Sequence, residues 1–454
     1  MDYILGFFNT ISGLGATTMM PIIIAIFGLF LGTGFGKSIR AGLTVGVGFI
    51  GLNAIIGILS DNLGPAVQQM ITRFGLSLSV IDIGWPASAA IAFASTVGML
   101  IIPIGLIVNI VMLLTNTTQT IDVDIWDYWH FAFTGALVAI LTGSQMLGIV
   151  AAIANMVIIM VIADYTAPCV EKTLGLPGVS LPHGFTAAYV PIAIVVNKII
   201  DLIPGVRDIN IDMENVQKRF GVFGEPILVG TVLGIIIGII AGYDWKTVLS
   251  LGITLGAVLV LIPKMASLLM EGLMPISEAA SSFVEKKFKN RGKIYIGLDS
   301  AVGVGHPITL SVSLILVPLT LLLAVIIPGN KVLPFADLAT IPWMFVLIIP
   351  FVNGNGFRAL IIGIVTLASG LLIATDLSPL ITQAAVNASY NLNGATAISS
   401  ICDGANPLTW IIVKLNEFGI VGVIIFAVVA LGLAFINRNR ILKEAQEIHK
   451  SQEQ

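Results

Sequence analysis

The chain has 454 residues, 57% of them hydrophobic and only 10% charged, against roughly 25% charged in soluble domains; a water-soluble globular fold is excluded. The net charge of −3 says less than its distribution, and no nucleic-acid-binding module is present. The two cysteines, Cys169 and Cys402, are too few and too far apart in sequence for a disulfide framework or a metal site.

Uncharged runs over 83–121, 128–163, 300–330 and 377–402 each exceed the ~20 apolar residues that cross a bilayer. They do not alternate with period two, which argues against a β-barrel. The expectation is an all-α polytopic membrane protein with about ten or eleven transmembrane helices, some broken or re-entrant. The opening MDYILGFFNT lacks the basic segment of a cleavable signal, so the first span is expected to stay as an anchor.

In chain order, MPIIIAIFGLFLGTGFGKSIRAGLTVGVGFI (20–50) can be laid against EPILVGTVLGIIIGIIAGYDWKTVLSLGITLGAVL (225–259). In each, a proline opens an apolar span, a lysine sits in a short turn (Lys37, Lys246), and GLTVG answers GITLG. Basic residues gather at Lys37 and Arg40, over 198–219, in KKFKNRGK (286–293) and in the tail NRNRILKEAQEIHK; the positive-inside rule makes these cytoplasmic. No Lys or Arg falls between Arg73 and Lys172, so TIDVDIWDYW (120–129) is expected on the outer side. The turn at Lys37–Arg40 is then inside and the turn at Asp244–Lys246 outside, which predicts two inverted repeats, about 1–220 and 221–437, with the substrate held near the midplane where they meet. The N-terminus is expected outside, and residues 438–454 form a cytoplasmic tail. The polar segments 202–226 and 265–293 are expected to be amphipathic interfacial helices.

Three further pairs follow in register: DIGWPAS (82–88) with GLDSAVG (297–303), TGSQ (142–145) with NGNG (353–356), and SLPHGF (180–185) with CDGANP (402–407). Proline and glycine interrupt helices, and broken backbone at membrane depth is tolerated only when protein buries it or a watery cavity receives it. Six breaks in register predict a polar cavity.

The polar residues at these breaks are the candidate ligands. Asp82 and Asp299 are ionisable groups at membrane depth, where they need a partner or a function; a carboxylate accepts several hydroxyl hydrogen bonds, and a helix-end cap is the competing reading. His183 combines a donor and an acceptor, against a histidine satisfied by backbone carbonyls. Gln145, Asn353, Asn355, Asp403 and Asn406 either bond substrate or stitch helices. Trp85, with Pro86 and Ser88 beside it, offers a stacking face or simple packing. His306, ahead of Pro307, reads as a helix-start residue, His130 as an interfacial residue at the outer end of a span, and Glu225 as a charge at a helix start. There is no P-loop, HExxH or CxxC, and neither cysteine has the surroundings of a reactive thiolate, so no phosphoryl-accepting residue is expected in this chain.

DIGWPAS, DIWDYWHFAFTGAL, SLPHGF, QKRFGVFGEP, YIGLDSAVGVGH and VIIPGNKVLPFADLATI, in this order and spread over nearly the whole chain, resemble the galactitol-type membrane subunit (enzyme IIC) of the bacterial phosphoenolpyruvate-dependent sugar phosphotransferase system, grouped with the ascorbate-type subunits. The resemblance implies a homodimeric carrier in the bacterial inner membrane, with a dimerising domain and a core domain that moves in elevator fashion. It implies a sugar alcohol substrate, galactitol by default, phosphorylated by the phosphocysteine of a cytoplasmic IIB subunit, with IIA, HPr and enzyme I upstream and no cofactor on this chain. It places ligands around Trp85 to Ser88, Gln145, His183 and Asp299. The alternative is a proton- or sodium-coupled secondary transporter of the same architecture, in which Asp299, Asp82 or Asp403 binds the ion.

Overall fold

The computed structural model describes residues 16–74, 78–122, 124–211, 225–288, 294–304, 306–390, 392 and 395–452. Residues 1–15, ahead of or at the start of the expected N-terminal anchor, residues 212–224 of the polar linker and residues 289–293 of the basic stretch lie outside the described residues.

The first half runs α1 (Ala16–Phe30), α2 (Phe35–Phe74), β1 (Val80–Asp82), α3 (Trp85–Ala94), α4 (Thr96–Leu114), β2 (Thr120–Asp122), a 3-10 turn at Ile125–Asp127, α5 (Tyr128–Thr142), α6 (Gln145–Leu174), β3 (Val179–Ser180), α7 (Gly184–Ala187) and α8 (Val190–Asp201). The elements from residue 226 onward come in a comparable order. They run α9 (Pro226–Ala241), α10 (Trp245–Phe288), β4 (Tyr295–Gly297), α11 (Ala301–Val304), α12 (Pro307–Ile326), β5 (Val332–Leu333) and a 3-10 turn at Ala336–Thr340. They continue with α13 (Ile341–Phe345), α14 (Ile348–Phe351), α15 (Gly356–Asn387), β6 (Ala397–Ser399), a 3-10 turn at Asp403–Ala405 and α16 (Pro407–Asn416), with α17 (Ile420–Gln452) added at the end. The three motif pairs fall at matching points: β1/α3 with β4/α11, α5/α6 with α14/α15, and β3/α7 with β6/α16.

The protein is an all-α polytopic membrane protein. Seven helices among the described residues are long and apolar enough to cross a bilayer, and shorter apolar helices lie at 85–94, 227–241 and 341–351. Helices α3 and α16, of 10 residues each, reach only ~15 Å at 1.5 Å per residue, half of a ~30 Å hydrocarbon core. They are half-helices that start at the breaks.

The short strands are a feature the apolar periodicity does not announce. Where the helices break, backbone N–H and C=O groups need partners away from water, and they find one another across the two halves. β1 of the first half pairs in parallel with β5 and β6 of the second, with Val80 opposite Val332 and Ala397, and Asp82 opposite Ser399. β4 of the second half lies in the same way between β2 and β3 of the first, with Ile296 opposite Ile121 and Val179. Sheet orders β5-β1-β6 and β2-β4-β3 interchange when β1, β2 and β3 are exchanged for β4, β5 and β6.

The hairpins α1–α2 and α9–α10 pack on one another, α2 against α10, and form a helical group of their own. Within α9–α10, Gly230 and Gly234 face Gly256 and Gly252 so closely that a Cβ on Gly234 would sit 2.7 Å from the Gly252 Cα; this is the small-residue seam that lets membrane helices approach. The turn between them is capped by Asp244, whose carboxylate accepts from the Thr247 hydroxyl at 2.6 Å and the Lys246 N–H at 3.0 Å. Those bonds hold this exposed carboxyl below the usual carboxylate range. Residues 265–288 are not the separate interfacial helix expected from their polarity but the continuation of α10. Their apolar side, Leu273 and Ile276, is buried, and Gly272 meets α2 at Val45, so packing on α2 decides the conformation.

Candidate functional site

Four of the six breaks, those at 82–88, 180–185, 297–303 and 402–407, converge on one cavity. Its walls are aromatic: Trp85 at the start of α3, Trp126 in the first 3-10 turn, Trp129 in α5, Trp343 in α13 and Phe185 in α7. Trp85 and Trp126 meet edge to face with ring centroids 5.9 Å apart, and Trp129 lies 4.0 Å from the His130 ring. The polar lining is His130, His183, Asp299, Thr340 and Cys402; none of the lining residues is Lys or Arg.

His183 follows Pro182, which cannot continue a helix, and becomes the N-cap of α7: its Nδ1 accepts the Thr186 N–H at 3.3 Å. The Thr186 hydroxyl in turn donates to the Trp343 carbonyl, tying α7 to the opposite half. The His183 Nε2 faces His130 Nε2 at 3.2 Å and Asp299 Oδ2 at 3.7 Å. Asp299 lies two residues beyond β4, where its Oδ1 accepts the Ala301 N–H at 2.6 Å and its own N–H donates to Asp124. His130 Nδ1 lies 2.7 Å from Asp403 Oδ2. Asp403 Oδ1 accepts from Asn406 Nδ2 at 3.0 Å, which also donates to the Gly184 carbonyl, while Asn406 Oδ1 caps α16. One hydrogen-bonded chain thus crosses from the first half to the second.

Of the sequence candidates, Trp85, His183 and Asp299 line the cavity. Asp403 and Asn406 stand behind it, joined through His130. Asp82 has the capping role: fully buried, it accepts from Gly84 through Oδ1 and from the Phe335 and Asp337 N–H groups through Oδ2. Gly84 at φ 84° makes the turn that allows this. Asp337, unnoticed in the sequence, returns the favour by accepting from the Trp85 N–H at 2.6 Å and from Ser400 and Cys402. Pro86 and Ser88 are buried in the first turn of α3, and Ser88 bonds the Gly84 carbonyl. The structure does not bring Gln145, Asn353 or Asn355 to the lining: Gln145 and Asn353 are exposed at the α5/α6 and α14/α15 junctions, Asn353 with φ 52°, and Asn355 caps α15. His306 precedes α12 and Glu225 precedes α9 as helix-start residues.

The segment 120–129 is not an exposed loop: Asp122, Trp126, Asp127 and Trp129 are all buried, and His130, 1% exposed, is a cavity group instead of an interfacial one. The carboxylates of Asp122 and Asp127 are buried with no hydrogen-bond partner among the described residues.

Two groups bring possible metal ligands within 4.8 Å of one another: Asp127, His130 and His183, and His130, Cys402 and Asp403. His183 Nδ1 accepts the Thr186 N–H, so the neutral ring carries its hydrogen on Nε2, and a metal bound at that nitrogen would have to displace this proton.

Residues 10–394 match the EIIC-GAT family model, the PTS system sugar-specific permease component. The chain is 41% identical over 428 residues to the galactitol-specific EIIC component of the PTS system of Escherichia coli (strain K12), covering 94% of each chain, and equally so to that of Escherichia coli O157:H7. It is 40% identical over 437 residues to a permease IIC component of strain K12, covering 96% of this chain and the whole of the relative. This chain therefore belongs to the EIIC-GAT family of PTS sugar-specific permease components, integral membrane proteins that take a sugar substrate and work with IIB and IIA components.

Proposed function

We propose that the chain binds a neutral sugar alcohol, galactitol in the first instance, and carries it across the bacterial inner membrane as a IIB subunit phosphorylates it from a phosphocysteine. The observation that carries this reading is the cavity: a carboxylate and two histidines among four tryptophans, with no Lys or Arg in the lining. Aromatic faces suit the C–H faces of a carbon chain, and a carboxylate beside imidazoles suits hydroxyl groups. An anionic sugar acid would meet Asp299 with no Lys or Arg in the lining to pair with it. The repeated element order and the exchanged strands support inverted repeats over about 1–220 and 221–437. The α1–α2/α9–α10 group is then the dimerising scaffold of a homodimer, and the remainder the moving core of an elevator. With the basic tail 438–454 cytoplasmic and the N-terminus outside, the turn after α4 belongs inside, since Arg438 donates to the Thr115 carbonyl and Asn437 to that of Thr117.

Uptake of radiolabelled galactitol by membrane vesicles tests this. It should require phosphoenolpyruvate, the general phosphotransferase proteins and the IIA and IIB partners, and deliver galactitol phosphate. Protonophore-sensitive uptake of unmodified galactitol would instead support an ion-coupled carrier, a second reading favoured by the buried carboxylates of Asp122 and Asp127, which have no hydrogen-bond partner among the described residues.

A further inference from the structure

We propose that the chain Thr186–His183–His130–Asp403 has a fixed direction, that it holds His183 as a hydrogen-bond donor, and that it thereby leaves Asp299 to accept the proton of the polyol hydroxyl being phosphorylated. The inference rests on the phosphotransferase reading and adds to it a proton acceptor and two positioning residues, His130 and Asp403. The direction follows from donors and acceptors. A backbone N–H can only donate, so His183 Nδ1, 3.3 Å from the Thr186 nitrogen, is the acceptor, and the neutral ring carries its hydrogen on Nε2. That hydrogen points to His130 Nε2 at 3.2 Å, which must accept, and His130 Nδ1–H then donates to Asp403 Oδ2 at 2.7 Å. A carboxylate behind a histidine, fixing its tautomer, is a recurrent positioning device.

Neither imidazole is left with a free lone pair toward the cavity. Asp299 is the carboxylate in the lining, and its Oδ2, 3.7 Å from His183 Nε2, is the oxygen that Ala301 does not occupy. In the transfer the hydroxyl oxygen forms the new bond to phosphorus, the S–P bond of the partner's phosphocysteine breaks, its electron pair stays on sulfur as thiolate, and the hydroxyl proton moves to Asp299 Oδ2. An aspartate that accepts the hydroxyl proton is what phosphoryl transfer from a good donor requires, since positioning supplies most of the remaining advantage.

The test has two arms. The full chain in lipid nanodiscs, labelled with nitrogen-15 histidine, has four histidines, and H306Q and H449Q identify the signals of the pair. One Nε2–H ring and one Nδ1–H ring are expected, with the Nδ1–H signal lost as a single tautomer in D403L; two like tautomers in the wild type overturn the directed chain. In the second arm, galactitol binding by equilibrium dialysis is compared with single-turnover transfer from phosphorylated IIB. D299N should bind about tenfold more weakly and, once saturated, transfer at least about a hundredfold more slowly. D403N should bind within about threefold and transfer about tenfold more slowly, with partial recovery in D403E. Wild-type transfer by saturated D299N would give the proton to another group. A wild-type protein that binds no galactitol, or takes no phosphoryl group from IIB, defeats the phosphotransferase reading itself, and the tautomer arm still reports on the chain.

Discussion

Asp82 and Asp299 look alike in the sequence, each an aspartate at a glycine-rich break, and the structure gives them different work. Asp82 satisfies the backbone N–H groups of Gly84, Phe335 and Asp337, whereas Asp299 commits Oδ1 to Ala301 and turns Oδ2 toward the cavity. Substitution should separate the two. Asp299→Asn should lower galactitol affinity at least tenfold, ~1.4 kcal/mol, with membrane insertion and melting temperature unchanged; an unaltered affinity in equilibrium dialysis would reduce Asp299 to a cap. Asp82→Ala should do the reverse. Each buried N–H left without an acceptor costs ~1–3 kcal/mol, so folded yield and melting temperature in detergent fall steeply, while any protein that does fold binds galactitol as the wild type does. A D82A protein that melts normally but binds weakly would make Asp82 a ligand after all.

The seam between α9 and α10 depends on glycine at 234 and 252 because backbone there lies against backbone. Gly234→Leu should force the helices apart, at the ~1–3 kcal/mol typical of overpacking, and lower the melting temperature while the galactitol affinity of folded protein stays within twofold, since the seam lies in the hairpin group and not in the cavity. Thermal unfolding followed by size-exclusion chromatography measures the first effect, and equilibrium dialysis the second. Much at this scale was legible in the sequence: proline and glycine mark helix breaks by simple sterics, so the three motif pairs and the hairpin pair could be read directly, and His183 and Asp299 stood out as polar groups inside apolar runs. His130, Trp126 and Trp129 were not legible as cavity residues, because a stretch without Lys or Arg reads the same whether it faces outward or is buried at membrane depth. The strands were hidden for another reason. Two or three residues carry no periodicity, and their pairing is set by the opposite half of the chain.

Each three-stranded sheet takes its central strand from one half and its outer strands from the other, and the hydrogen-bonded chain at the cavity joins His183 and His130 of the first half to Asp403 of the second. Neither half alone can satisfy the backbone at its own breaks, and in lipid an unsatisfied N–H or C=O costs several kcal/mol. Residues 1–211 expressed alone, and residues 212–454 expressed alone, should therefore be degraded or aggregate, even though each contains long apolar helices that insert independently. Expressed together they should assemble, because the cut falls in the polar linker, outside every strand pairing among the described residues. Co-purification of the second fragment with a tagged first fragment, followed by galactitol binding to the pair, measures this. A first half that is stable, monodisperse and protease-resistant without its partner would mean that the strand exchange is a late docking contact between independently folded repeats, and the cavity an interface between two finished units.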